Sequence, residues 1–505
     1  MSAHRVPFIP DFITERDSQT FVPEWMKEER SAGRVEEPIP AAFRKTCLPS
    51  EPTEGETVIL KGGRCIIPYK GIFPMDIKIQ NGKILSTGTH ISEKKAKIID
   101  LEGKYVAPGI VDPHVHLGLF TPFDTEIVTE TRSALLNGVT TIGLYLGGQE
   151  SYLNTLDEMI QKIETRGYTD VFIHLVILTH AQLEEIPLYF SRYGITSYKT
   201  YMCGIPGLIP AVEDDFLMDL MEQVASLGDK AVLNIHAENH RVVSRATERL
   251  KKVDPAPVSL KKWEESHPGF AEAEAIQRAS YLSKETGAKI YFVHMSSGES
   301  IRMAKELKRR FRHIFFETTS PYLTLSMEED TSFLYKMTPP VRTKDDQQVL
   351  WEGLAEDVVD TIGTDHTPMS VDEKKPTQNL WDIVPGYPAV GTHLPSLLDS
   401  AIKRRFPLTK LIEKMTANPA KIFGLYPQKG TILPGSDADL IMIDPHLEQV
   451  VTPETSASRS DYCLHEGKTL TGWPVDVIKS GTIITRPCFD QVKGLIKSRY
   501  LRRAG

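Results

Sequence analysis

The sequence predicts an α/β fold, a (β/α)8 TIM-like barrel with a small flanking β-sandwich formed by N- and C-terminal segments. Three observations carry that prediction. First, about eight short apolar runs alternate with amphipathic helical stretches from residue 110 onward, the pattern of a parallel sheet. Second, residues able to ligate a metal recur where five of these runs end, and in a closed barrel all such ends open onto one face. Third, segments with β signals and no intervening helices precede and follow this region. An open doubly wound sheet is the alternative, but it would normally carry a glycine-rich phosphate turn, and Gly143 to Gly148 is no GxGxxG.

Composition narrows the partners. The chain has 505 residues, 40% hydrophobic and 25% charged, with a formal net charge of -8. These are globular values, and the negative balance argues against nucleic acid or an anionic membrane as the bulk partner. Met1 to Asp17 lacks an apolar core of the signal-peptide kind, and no run of about 18 apolar residues occurs. A cytoplasmic protein is expected. Cys47, Cys65, Cys203, Cys463 and Cys488 are spread without a CxxC, which points to reduced thiols and not to a disulfide framework or zinc ribbon.

Taken in order, residues 1–55 are rich in Pro, Glu and Arg and read as an extended arm, one that could lie against another subunit. Residues 56–106 form the first part of the sandwich, with β signals at 57–60 and 76–79 and the hairpin turn Asn81-Gly82. Residues 107–424 form the barrel. Its first strand carries His114 and His116, and the others are expected at 140–144, 170–177, 197–201, 231–235, 289–293, 313–317 and 358–362. Helical periodicity falls between them at 152–165, 214–227, 272–285 and 300–311, and again around 408–423. Residues 425–486 give the second part of the sandwich, with β signals at 430–435, 438–443 and 477–485. The basic tail 487–505 reads as a solvated terminus.

The chemistry gathers at the strand ends. Side chains two apart on a strand share a face, so His114 and His116 can bind one ion together. The other ends supply Lys199, His236, His294 and Asp365. Singly, each has a structural explanation: a hydrogen-bonded core histidine, a snorkelling lysine, a turn aspartate. Together they suit hydrolysis with two divalent ions about 3.5 to 4 Å apart, holding a hydroxide and polarising a carbonyl. A free ammonium would repel such ions, so Lys199 belongs in this set only if salt-bridged outside it or converted to an anionic carbamate.

Pro108-Gly109-Ile110-Val111-Asp112-Pro113-His114-Val115-His116, Ser197-Tyr198-Lys199, His236-Ala237-Glu238-Asn239, Val293-His294 and Gly363-Thr364-Asp365-His366 resemble the cyclic amidohydrolases: dihydropyrimidinase, hydantoinase, allantoinase and dihydroorotase. The resemblance runs from about Thr57 to Thr485. It implies that His114, His116 and Asp365 bind one ion, that His236 and His294 bind a second, that N6-carboxylated Lys199 bridges them, and that the ions are zinc by ligand type. It further implies attack by the bridging hydroxide on a ring amide, with Asp365 as general acid and base. The expected partner is a small cyclic amide, imide or ureide, and the assembly a homotetramer or dimer.

Two departures bear on the substrate. Gly204 stands where dihydropyrimidinases and hydantoinases usually have a tyrosine, so Tyr201 or a loop residue must supply the lost hydroxyl unless the ring differs. Pro385, before Gly386, replaces an asparagine, while Gly391 and His393 replace an acid and a base. Tyr201, Thr338 and Gly386 are the expected substrate contacts. An allantoinase- or dihydroorotase-like ureide hydrolase is the rival enzyme reading. A non-catalytic tetrameric scaffold is the rival of another class; such relatives typically lose ligands, whereas this chain keeps all six positions.

Overall fold

A computed structural model describes residues 56–504 except 206, 330, 331, 375, 376 and 378. The expected arm at 1–55 lies outside the described residues.

Five strands come first: β1 (Thr57–Ile67), β2 (Gly71–Gln80), β3 (Lys83–Gly88), β4 (Lys97–Asp100) and β5 (Tyr105–Pro108). β1, β2 and β3 pair antiparallel in that order. Between β2 and β3, Asn81 and Gly82 have φ of 50° and 72°, the left-handed pair a type I′ hairpin turn requires.

Eight strands follow: β6 (Ile110–His116), β7 (Val139–Leu146), β8 (Asp170–Val176), β9 (Ser197–Tyr201), β10 (Val232–His236), β11 (Ile290–Phe292), β12 (Ile314–Thr319) and β13 (Thr361–Gly363). Each pairs parallel with the next. Helices such as Phe123–Leu136, Asp214–Ser226 and Gly298–Arg310 cross between them. The seam closes just beyond β13, where Val115 bridges His366 and the His116 N–H donates to His366 O at 2.8 Å. Asp112, fully buried on β6, reinforces it by accepting the Thr364 N–H at 3.1 Å and the Thr364 hydroxyl at 2.6 Å. The expected (β/α)8 barrel is therefore present.

After helices Leu408–Met415 and Ala417–Ile422 come β14 (Leu440–Val450), β15 (Thr469–Lys479) and β16 (Thr482–Thr485). β14 pairs antiparallel with β5, so the segments on either side of the barrel join one sheet in the order β16-β15-β14-β5-β1-β2-β3, with β4 beside β1. The far edge returns: Ile84 N–H donates to Ser436 O at 2.9 Å, and Gly435 N–H to Ile84 O at 2.8 Å. Leu60, Ile77, Ile84, Leu101, Leu440 and Ile478 share the core this encloses. Residues 430–435 are a turn, not a strand, with Gly430 and Gly435 at φ of 75° and 90°.

Two expectations need correction. The basic tail is no solvated terminus. Tyr500 bridges Val171 in parallel beside β8, Leu501 N–H donates to Val171 O at 2.8 Å, and Arg503 is buried. The Arg503 guanidinium enters the barrel floor, donating to Ser197 Oγ at 2.8 Å and to Ile173 O, over the Phe172 ring. Among the cysteines, Cys65, Cys203 and Cys463 are buried free thiols, whereas Cys488 is disulfide-bonded. Pairing depends on proximity in space, which spacing along a chain does not reveal.

Candidate metal centre

His114, His116, Lys199, Tyr201, His236, His294, Thr338, Asp365 and Gly386 all line one cavity of about 240 Å³. It opens where the barrel strands end. Every ligand and substrate contact expected from the sequence is thus brought together, whereas Gly204, Gly391 and His393 lie outside this lining.

The geometry has two halves. On β6, His114 and His116 turn inward together, with their Nε2 atoms 3.2 Å apart. Asp365 Oδ1 lies 3.1 Å from the first and 3.2 Å from the second. Opposite, His236 at the end of β10 brings Nδ1 to 2.9 Å from His294 Nε2. The His114 and His294 rings stack at 5.5 Å and join the halves.

Two carboxylates fix which ring nitrogens are free. Glu317 Oε2 accepts the His294 backbone N–H at 3.0 Å and faces His114 Nδ1 at 2.9 Å. An oxygen already accepting a backbone proton is the acceptor for the imidazole too, so the His114 proton is assigned to Nδ1 and its Nε2 carries a lone pair. Glu238 Oε2, 3.0 Å from His236 Nε2, does the same on the other side and leaves Nδ1 as the free base. His114 and His236 thus each turn a lone pair toward the cluster, His114 beside a carboxylate oxygen of Asp365, which suits a divalent cation.

Lys199, 0% exposed, has no hydrogen-bond partner among the described residues. Its Nζ lies 4.9 Å from the ring centres of both Tyr145 and Tyr201. Burial pushes the amine down to about 7, against the opposing pull of Asp365 and Glu317. Burial also takes His114 and His294 well below the ordinary imidazole range. For Asp365 burial acts the other way, but His114, His116 and Lys199 outweigh it and hold the carboxyl at about 2. His294 and Asp365 adopt φ of 42° and 53°, left-handed backbone that costs on the order of 1–3 kcal/mol in a residue with a side chain and clusters at functional sites.

Sequence reasoning missed Glu317 as a site residue, and it met Glu238 only within a motif. The signals were present: Glu317 ends the run expected at 313–317, and Glu238 lies two residues past His236. Gly363 explains how Glu317 fits, because a Cβ there would stand 2.3 Å from Glu317 Oε1. Gly204 is equally constrained. Its Cβ would lie 2.6 Å from Ile209 O and 2.7 Å from Ala211 N, so no side chain reaches the cavity from that position.

Much of the remaining cavity wall is apolar, with Leu119, Phe120, Val176, Leu178, Ile205 and Leu208, and Gln149, Thr367 and Tyr387 add polar groups to it. Lys199 is the one cationic side chain among the described lining residues. A second group of acids, Asp170, Asp437 and Asp439, also converges. Lys429 and Lys479 fill it, with Arg499 and Lys83 at its margin.

Residues 283–484 match the model of the Amidohydrolase family. The chain is 30% identical over 442 residues to an L-hydantoinase of Paenarthrobacter aurescens, covering 85% of this chain and 94% of that one. It is 31% identical over 454 residues to a D-hydantoinase of Geobacillus stearothermophilus, covering 85% and 93%. Among solved structures, a dihydropyrimidinase from Brevibacillus agri superposes with a TM-score of 0.80 at 26% identity, covering 89% of this chain and 99% of that one.

Proposed function

The chain belongs to the cyclic amidohydrolases of the amidohydrolase superfamily, and on that premise we propose that His114, His116 and Asp365 hold one divalent ion, His236 and His294 a second, and N6-carboxylated Lys199 bridges them. The enzyme hydrolyses cyclic amides. One observation carries the ligand assignment: Glu317 and Glu238 commit the far nitrogens of His114 and His236, so each half of the cluster has a ring nitrogen left unprotonated to bind an ion. Neutral imidazoles with carboxylates favour zinc.

Lys199 fits the bridge. An amine lowered to about 7 is partly neutral at physiological pH, the form that adds to carbon dioxide. Carboxylation turns an unpartnered buried amine into an anion with two ligand oxygens.

When bound, the ions acidify a water and polarise the ring carbonyl. Asp365 takes the proton of the attacking water and returns it to the departing ring nitrogen. Water is thereby added across the ring C–N bond, giving a carboxylic acid and an N–H. Thr338, whose buried Oγ1 has no partner among the described residues, contacts the ring together with Gly386 and Tyr201.

The apolar wall and the absence of any lining cation besides Lys199 among the described residues favour a neutral ring with an apolar substituent. A carboxylated ring such as dihydroorotate would find no cation to pair with there among the described lining residues besides Lys199. We further propose a cytoplasmic homo-oligomer, tetramer or dimer, which would cover the exposed Phe73, Leu85 and Ile98 of the flanking sheet. Light scattering after size exclusion checks the assembly.

The deciding experiment is metal analysis with and without bicarbonate, with wild type and Lys199→Ala assayed on substituted hydantoins, dihydrouracil, allantoin, dihydroorotate and phthalimide. About two ions per chain and preferred opening of apolar-substituted rings are expected. Less than about one ion per chain and no ring opened would overturn the metal reading. Full activity of Lys199→Ala would remove the carbamate.

A further inference from the structure

Tyr387, 1% exposed, lines the cavity from the segment that carries Pro385 and Gly386. It grips the Asp365 loop twice. Its carbonyl accepts the Thr367 N–H at 2.9 Å, and its hydroxyl donates to Asp365 Oδ2 at 3.1 Å. Two residues on, the Ala389 N–H donates to His366 Nδ1 at 3.0 Å and extends the same attachment.

The result is a divided carboxylate: Oδ1 faces His114 and His116 while Oδ2 is held by the phenol. Nothing within an aspartate enforces that division, because its χ2 torsion is broad and nearly two-fold. Gly204 removes the loop after β9 as a source of a competing hydroxyl, since no Cβ fits there.

We propose that Tyr387 is the positioning residue of Asp365. By donating to Oδ2 it keeps that oxygen out of the ligand cluster, so that one oxygen serves as ligand and the other remains available to the reacting ring. This rests on the ion-binding reading of Asp365 given above.

The test uses holoenzyme loaded with cobalt(II), comparing wild type, Tyr387→Phe and Tyr387→His, with thermal unfolding to check the fold. For Tyr387→Phe we expect kcat to fall about 10–100-fold while KM stays within about twofold, as is typical when a group orienting a ligand is lost. The visible cobalt absorption should also weaken and shift as the freed oxygen joins the coordination. Tyr387→His keeps a donor and should recover part of the rate and most of the wild-type spectrum. A Tyr387→Phe spectrum identical to wild type, with kcat within about twofold, overturns the inference. If Tyr387→Phe does not fold, Tyr387→His decides: a folded variant with an altered spectrum counts against the donor role, a wild-type spectrum for it. Wild type that takes up no cobalt defeats the ion-binding reading itself, and the inference with it.

Discussion

The barrel buries acids at both ends, and the two ends treat them oppositely. On the floor, Asp170, Asp437 and Asp439 are met by Lys429, Lys479, Arg499 and Lys83, and the charge is settled within the chain. At the mouth, Asp365, Glu238 and Glu317 surround histidines and a single lysine. Glu238 Oε1, Glu317 Oε1 and Lys199 Nζ have no hydrogen bond among the described residues. Buried polar atoms left unpaired cost about 1–3 kcal/mol each. The difference teaches how a structural cluster is told from a receptive one: the floor is complete as folded, and the mouth is complete only with a guest.

That contrast can be broken in order of effect. Asp365→Asn should lower kcat by about 10²–10⁴-fold with little change in thermal midpoint, because the mouth adds little to the fold. A large loss of stability in that variant would erase the distinction. Lys429→Met should do the reverse, costing about 3–5 kcal/mol in denaturant unfolding by stranding buried carboxylates, while kcat of the folded enzyme holds. Glu238→Gln is expected to be milder, about 10–100-fold in ion affinity measured by chelator competition.

The smallest effect is acid sensitivity. Burial opposes ionisation of Asp170 and Asp437, but Lys479, Lys429 and Arg499 outweigh it at the former and Lys429 at the latter, so both carboxyls are held well below the usual range. A depressed carboxyl pKa stabilises the fold above the unfolded value of about 4, and that stability is lost as pH falls through the lower folded value. Denaturation midpoints should therefore hold from neutral pH down to about 5 and decline below about 4, with a shallower decline in Lys429→Met.

Legibility in the sequence followed the same division. The mouth could be read because its residues obey a positional rule: His114, His116, Lys199, His236, His294 and Asp365 each lie within two residues of the C-terminal end of a strand. The carboxylates behind them obey the same rule in position, but their partners could not be read, since Glu317 reaches His114 across 203 positions. The floor was illegible for a related reason. Arg499 and Arg503 look like any basic tail until Tyr500 pairs with Val171, and no periodicity announces that bridge.

The Arg503 contact with Ile173 joins positions 330 residues apart. At about 5–20 residues per second of synthesis, the strands around Ser197 and Ile173 leave the ribosome many seconds before the segment that seals their lower end. Until then the floor lacks these contacts, which are long-range ones of the kind that slows folding.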